Sequence, residues 1–143
     1  MFRALAFWCL MTFVPVACLA GPPELAPADV RAVRAAVEGQ LKALAAGEPD
    51  VAFAFASPEI RTQFHDAALF ASMVRRSYPM LIRPLSVSYF VPETEDGVVT
   101  QSIQVRDRDG NFWRVVYELR QQPDGSWRIN GCAVAPDDDS STT

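Results

Sequence analysis

Histidine is nearly absent from this sequence: His65 is the only one in 143 residues, which excludes a two-histidine metal site within one chain. Cysteine is scarce too, and Cys9, Cys18 and Cys132 are spaced for neither a zinc set nor a disulfide framework. No glycine-rich phosphate loop, nucleophile elbow or nucleic-acid motif occurs, so no metal site and no cofactor is read. Basic residues are not in excess. The 13 Lys and Arg stand against 17 Asp and Glu, a net charge of -4, and this offers no basic field to nucleic acid. What remains is half apolar and 21% charged, a mix that fits one globular domain with a core and excludes collagen-like, coiled-coil and largely disordered chains.

Charge is also missing from Ala4–Ala20, which follows the short positive start Met1-Phe2-Arg3. That pattern, with Leu5, Phe7, Trp8, Leu10, Phe13 and Val14 in the run, predicts a signal peptide over residues 1–20, cut after Ala20. Pro15 and the lack of a basic flank beyond the run argue against a spanning helix. The alternative is lipidation at Cys18, although Pro15 stands where a lipobox carries leucine. Both readings place the protein in the periplasm or outside the cell, touching membrane only through the signal or a lipid anchor. Cys132 then has no partner within its chain, and it is expected as a small buried hydrophobe.

Proline-rich residues 21–27 read as a linker, residues 28–135 as a single domain, and residues 136–143, with Asp137, Asp138 and Asp139, as a disordered acidic tail. Val30, Val33, Val37, Leu41 and Leu44 recur every three or four residues and predict a long amphipathic helix that Gly47 stops. Pro49 opens a short second helix with Val51, Phe53 and Phe55. Ser57 caps a third that carries Ile60 and Phe64, and Asp66 caps a fourth, with rows Leu69/Met73 and Phe70/Val74, that ends before Tyr78-Pro79.

From Leu85 the period becomes two. Leu85, Val87, Tyr89 and Val91 alternate with Ser86, Ser88 and Phe90, and Pro92–Gly97 reads as a loop. Further strands are expected over Val98–Arg106, Phe112–Arg120 and Trp127–Val134, joined at Asp109-Gly110 and Pro123-Asp124-Gly125. Trp113, Val115, Tyr117 and Leu119 share one face. On the last strand Trp127, Ile129, Gly131 and Ala133 are assigned to one face, with Arg128 and Asn130 on the other. Helices first and strands after predict an α+β fold, the helices packed on one face of a four-stranded antiparallel meander.

The closing phrase Asp124-Gly125-Ser126-Trp127-Arg128-Ile129 resembles the nuclear transport factor 2-like (cystatin-like) superfamily. Phe55-Ala56-Ser57-Pro58-Glu59-Ile60-Arg61, Met73-Val74-Arg75-Arg76-Ser77-Tyr78-Pro79, Arg83-Pro84 and Trp127-Arg128-Ile129-Asn130-Gly131-Cys132 resemble, more narrowly, the bacterial family called domain of unknown function 4864 (DUF4864), over residues 30–135. The resemblance implies a cone-like fold whose curved sheet is wrapped by helices, and it implies no established activity. It also makes a homodimer through the sheet an expectation, with Phe90, Val116 and Val134 on the expected outer face. Function does not follow from fold, because the superfamily spans isomerases, dehydratases, carriers and partner-binding modules.

Proton-moving enzymes of that superfamily need a carboxylate or histidine in an apolar pocket. The strand reading supplies none: Gln101 is the clearest polar member of the face with Ile103, Trp113, Tyr117 and Trp127, and Glu118 falls opposite, among Arg114, Arg120 and Arg128. Glu118 is expected as a cross-strand charge partner, His65 at a helix junction. Tyr78, Gln101, Trp113 and Tyr117 are the candidates to line a ligand cavity, with core packing as their plainer role. Arg83, with Arg75 and Arg76, brackets Tyr78 and is expected on an ordinary solvated surface, the alternative being contact with an anionic headgroup at the cone mouth. The expectation is a non-catalytic exported module that binds a small apolar or anionic ligand or a protein partner. The alternative is a small isomerase or hydratase-like enzyme based on His65 or a misphased carboxylate.

Overall fold

The computed structural model describes residues 24–138. The expected leader, the alternative processing points at Ala20 and Cys18, residues 21–23 of the linker and residues 139–143 of the tail lie outside the described residues.

Helix α1, Pro27–Ala46, begins on a proline, whose missing N–H costs nothing in the first turn. It buries Val33, Ala36, Val37, Gln40, Leu41, Ala43 and Leu44, and ends at Gly47 with φ of 70°, a left-handed conformation that glycine adopts without a Cβ penalty. Helix α2, Pro49–Ala54, buries Ala52 and Phe53. In α3, Pro58–Phe64, no residue is fully buried; the cap is the expected Ser57, whose side chain accepts from the Ile60 N–H. Helix α4, Ala67–Ser77, is capped by Asp66, which accepts from the Leu69 N–H at 2.7 Å. Phe70 and Val74 are its buried row; Leu69 is 53% exposed. A 3-10 turn over Pro79–Leu81 follows and buries Leu81.

The sheet has five strands, not four. They are β1 (Ser86–Tyr89), β2 (Glu93–Glu95), β3 (Val98–Arg106), β4 (Phe112–Gln121) and β5 (Trp127–Pro136), all paired antiparallel. β1 and β2 lie along the same side of β3, and β4 and β5 follow on the other. The extra strand β2 lies inside the expected loop. Its three residues pair with Val98–Thr100, so tertiary pairing rather than local pattern makes them a strand.

One face of the sheet carries the core. Val99, Gln101, Ile103 and Val105 of β3 and Val115, Tyr117 and Leu119 of β4 are buried on it, together with Ile129 of β5 and the apolar stripes of α1, α2 and α4. Helices on one face of an antiparallel sheet make the molecule α+β.

The phase of β5 differs from expectation. Leu119 stands opposite Ile129 but Glu118 stands opposite Gly131, so Asn130 is an extra residue, a β-bulge. Because side chains alternate with period two, one inserted residue exchanges the faces beyond it. Cys132 and Val134 therefore pack against the core, and Ala133 is exposed. Val134 is thus not an outer-face residue.

β5 also runs past its expected end to Pro136, and Asp137 is held in place. Its N–H donates to Phe112 O at 2.9 Å, and its carboxylate accepts from Gln104 Nε2 at 2.9 Å and Arg114 Nε at 3.0 Å. The bulged stretch of β5 is itself covered. Ala56 forms a parallel bridge with Ile129: the Ser57 N–H donates to Ile129 O and the Ile129 N–H donates to Phe55 O, each at 2.8 Å. Phe55–Arg61 and Trp127–Cys132, two of the phrases that carry the family resemblance, meet at this bridge. Among the described residues no helix is long and apolar enough to cross a membrane.

Candidate functional site

A cavity of about 330 Å3 opens between α3, α4 and the β4–β5 end of the sheet, at the lower end of the range usual for small-molecule sites. Each wall follows from an element already described. Helix α1 contributes Gln40 and Leu44 from its buried stripe. Ile60, Gln63 and Phe64 come from α3, and Phe70, Met73 and Val74 from α4. Tyr78 and Leu81 close the end where α4 gives way to the 3-10 turn, and Ala56 enters through the bridge to β5. The sheet supplies Tyr117, Ile129, Gly131 and Cys132.

The chemistry of this lining is uniform. It contains no carboxylate, imidazole, ammonium or guanidinium. Burial pushes the Cys132 thiol up to about 12 and raises the fully buried Tyr117 phenol well above its ordinary value, so both stay protonated across the neutral range. Gln40 is buried and its side-chain amide donates to Ala52 O at 3.2 Å. Phe70 and Phe64 of the lining stack edge to face, 5.7 Å between centroids, and Phe53, outside the lining, lies 5.3 Å from Phe70.

Gln101, Tyr117 and Cys132 form a row directly across β3, β4 and β5 on the core face. Gln101 is wholly buried, and its Nε2 donates to Phe90 O at 2.7 Å and Ser102 O at 2.9 Å. Both partners are carbonyls, which fixes the orientation of its amide. Among the described residues two buried side-chain polar atoms have no hydrogen-bond partner, Gln101 Oε1 and the Tyr117 hydroxyl. Both stand in this row.

The five candidate ligand residues read from sequence are divided by the fold. Tyr78 and Tyr117 line the cavity. Gln101 neighbours Tyr117 on the sheet but is not part of the lining, its amide being committed to the carbonyls of Phe90, just past β1, and of Ser102 in β3. Trp113 and Arg83 line a separate, smaller hollow of about 180 Å3 beside the β3–β4 turn, where the Trp113 indole donates to Asp107 Oδ2 at 2.9 Å. Arg75 and Arg76 are exposed and outside the lining.

His65 ends α3 with φ of 66° and borders a surface hollow with Phe53, Pro58, Arg61 and Thr62. Glu118 lies on the opposite side of the sheet, where it accepts from Asn130 Nδ2 at 3.2 Å and pairs with Arg120 on its own strand at 3.3 Å. Sequence reasoning passed over Met73, Phe70 and Cys132 as site residues. The helical pair was visible only as core spacing, and Cys132 was hidden by the bulge, for which Gly131 inside a strand was the available sign.

A broader hollow, about 820 Å3, lies between the start of α1 and the β1–β2 edge, with Glu24, Glu93, Glu95 and Asp96 on its rim. Unlike the cavity, it contains neither of the unpartnered buried atoms.

A family profile described as Domain of unknown function (DUF4864) matches residues 26–142. No curated protein matches the chain.

Proposed function

This chain belongs to the DUF4864 family, and for it we propose a binding rather than a catalytic role: the cavity under α3 takes a small, largely apolar molecule. One observation carries the reading, a preformed hollow of about 330 Å3 whose lining has aromatic and aliphatic walls and no carboxylate or imidazole. Acid–base catalysis needs a titrating group within hydrogen-bond reach of its substrate, and the two most deeply buried acidic groups of the lining, the Tyr117 phenol and the Cys132 thiol, are held neutral by burial. Apolar walls with a few polar atoms are the usual make-up of a site that holds a small molecule.

The order of elements and the phrase Gly125-Ser126-Trp127-Arg128-Ile129 support placing the fold among the nuclear transport factor 2-like cones. The pattern of Met1–Ala20 supports export to the periplasm or beyond. Intact-mass measurement after expression with the native leader tests export: a chain starting at Gly21 supports the signal peptide, a diacylglycerol adduct on Cys18 supports a lipoprotein, and an uncleaved chain overturns both.

Binding is tested with N-phenyl-1-naphthylamine, an uncharged fluorophore that brightens in apolar surroundings. Saturable binding that Met73→Trp abolishes, with the melting temperature retained, supports the cavity. Absence of saturable binding, or binding that Met73→Trp leaves unchanged, overturns it.

A further inference from the structure

The walls described above also restrict the chemistry of the occupant. Removing a charge from water into a site without a counter-charge is far more costly than removing a neutral group, and the cavity offers no ionised side chain to compensate an anion or a cation. The arginines that would have met an anionic headgroup, Arg75, Arg76 and Arg83, are outside the lining. A bare hydrocarbon, conversely, leaves one polar atom unsatisfied. Tyr117 is 1% exposed, belongs to the lining, and its hydroxyl has no hydrogen-bond partner. Buried hydroxyls left in that state are destabilising and uncommon. Neighbouring groups do not relieve it: Gln101 Oε1, the acceptor on the facing residue of β3, makes no bond to the hydroxyl and is itself without a partner, and the Cys132 thiol, opposite Tyr117 on β5, is a weak partner.

We infer that the occupant is an uncharged, mainly apolar molecule with one oxygen, carbonyl or ether in character, that accepts a hydrogen bond from the Tyr117 hydroxyl. Tyr117 is thereby the specificity-determining residue of the cavity, selecting for an acceptor among otherwise similar apolar molecules. Sites that present a buried polar group reject analogues lacking its partner, because the group is then left unpaired. The inference rests on the cavity reading proposed above and adds the ligand class to it.

Three probes test it by displacement of N-phenyl-1-naphthylamine from the full chain: 2-octanone, with a carbonyl acceptor; 1-octene, with none; and octanoate, which is ionised at neutral pH. Tyr117→Phe is expected to weaken 2-octanone by about tenfold, the factor one hydrogen bond of ordinary net strength carries, and to leave 1-octene within about twofold. Octanoate is expected to bind only as its acid, with apparent affinity falling about tenfold per pH unit between pH 6 and 8, while 2-octanone shows no such slope. In the unsubstituted protein the infrared carbonyl band of bound 2-octanone should fall at lower frequency than in hexane, a readout that does not depend on the variant folding.

If none of the probes and no fluorophore binds, the cavity reading itself fails. If the neutral probes bind but Tyr117→Phe affects both alike and the carbonyl band is unshifted, the Tyr117 assignment is overturned and the cavity stands. Octanoate affinity independent of pH overturns the requirement for a neutral ligand.

Discussion

Ser57 Oγ donates a 2.7 Å hydrogen bond to Asn130 Oδ1 across 73 positions of sequence, and the same oxygen accepts from the Ile60 N–H at 3.3 Å. One buried hydroxyl therefore starts α3 and fastens it to the bulge of β5. Asn130 passes the connection through the sheet by donating to Glu118 Oε1 on the far side. The wall of the cavity and the irregularity of the last strand are parts of one polar network.

Replacing Ser57 by alanine removes a helix cap and leaves Asn130 without its donor, each worth about 1 kcal/mol or more. Urea unfolding of Ser57→Ala should show a loss of about 1–3 kcal/mol. The double variant with Asn130→Ala should lose less than the sum of the two single changes, since each single variant strands the other partner. Strict additivity would show that the bond contributes nothing.

Gly39 faces the Phe55 ring so closely that a Cβ built on it would lie 2.4 Å from Cζ. In a helix, alanine normally gains about 1 kcal/mol over glycine; here the ring must move out of its packed position. Gly39→Ala is therefore expected to destabilise, by about 1–3 kcal/mol, and Phe55→Leu in the same chain should recover most of the loss. Thermal unfolding of the two single variants and the double variant measures the coupling.

The Asp107 carboxyl lies below its ordinary 3.8, chiefly because the Trp113 indole donates to it, with Asn111 adding to the effect. A carboxyl depressed on folding stabilises the fold above its unfolded value and ceases to do so as pH falls through the folded one. The Trp113 indole N–H resonance should thus stay constant down to about pH 4 and move only at more acid pH. In Asp107→Ala it should be displaced at neutral pH and should not titrate with that midpoint. An indole resonance unaffected by the substitution would remove the contact.

Cys132 presents the opposite case. Its thiol is pushed up from the ordinary 9.0 to about 12 by burial, so at pH 8 its thiolate population, and with it alkylation by iodoacetamide, should be suppressed on the order of a thousandfold relative to a free cysteine. The unfolded chain ionises this thiol near its ordinary 9.0 and the folded chain does not, so folding stability from this group is complete below pH 9 and declines as pH rises toward 12. Peptide-level mass spectrometry of alkylated native protein checks the first effect, and alkaline denaturation of wild type against Cys132→Ala the second.

The helical half was legible in the sequence because Val33, Val37, Leu41 and Leu44 repeat at the helical period, and because Gly47, Ser57 and Asp66 carry local chemistry that stops or starts a helix by itself. β3 and β4 were legible for the same kind of reason, through alternation. Glu93-Thr94-Glu95 was not, since those residues have no apolar alternation and are strand only by virtue of β3 beside them. The inserted Asn130 then changed which side chains of β5 reach the interior.

The site divided along similar lines. Tyr78 and Tyr117 could be named from their chemistry, whereas Trp113 was taken up by Asp107 and Gln101 by two backbone carbonyls, bonds that depend on side-chain reach rather than on pattern. Cys132 required knowledge of the bulge.

The last strand also sets the timetable of folding. The Trp127 indole reaches back 98 positions to Asp29 in the first turn of α1, and β5 provides Ile129, Gly131 and Cys132 to the cavity. The helices of the N-terminal half thus gain part of their packing only when the last strand is in place. Contacts of such separation slow folding, so removing β5 should keep the sheet and helices from closing on one another as well as weaken the finished protein.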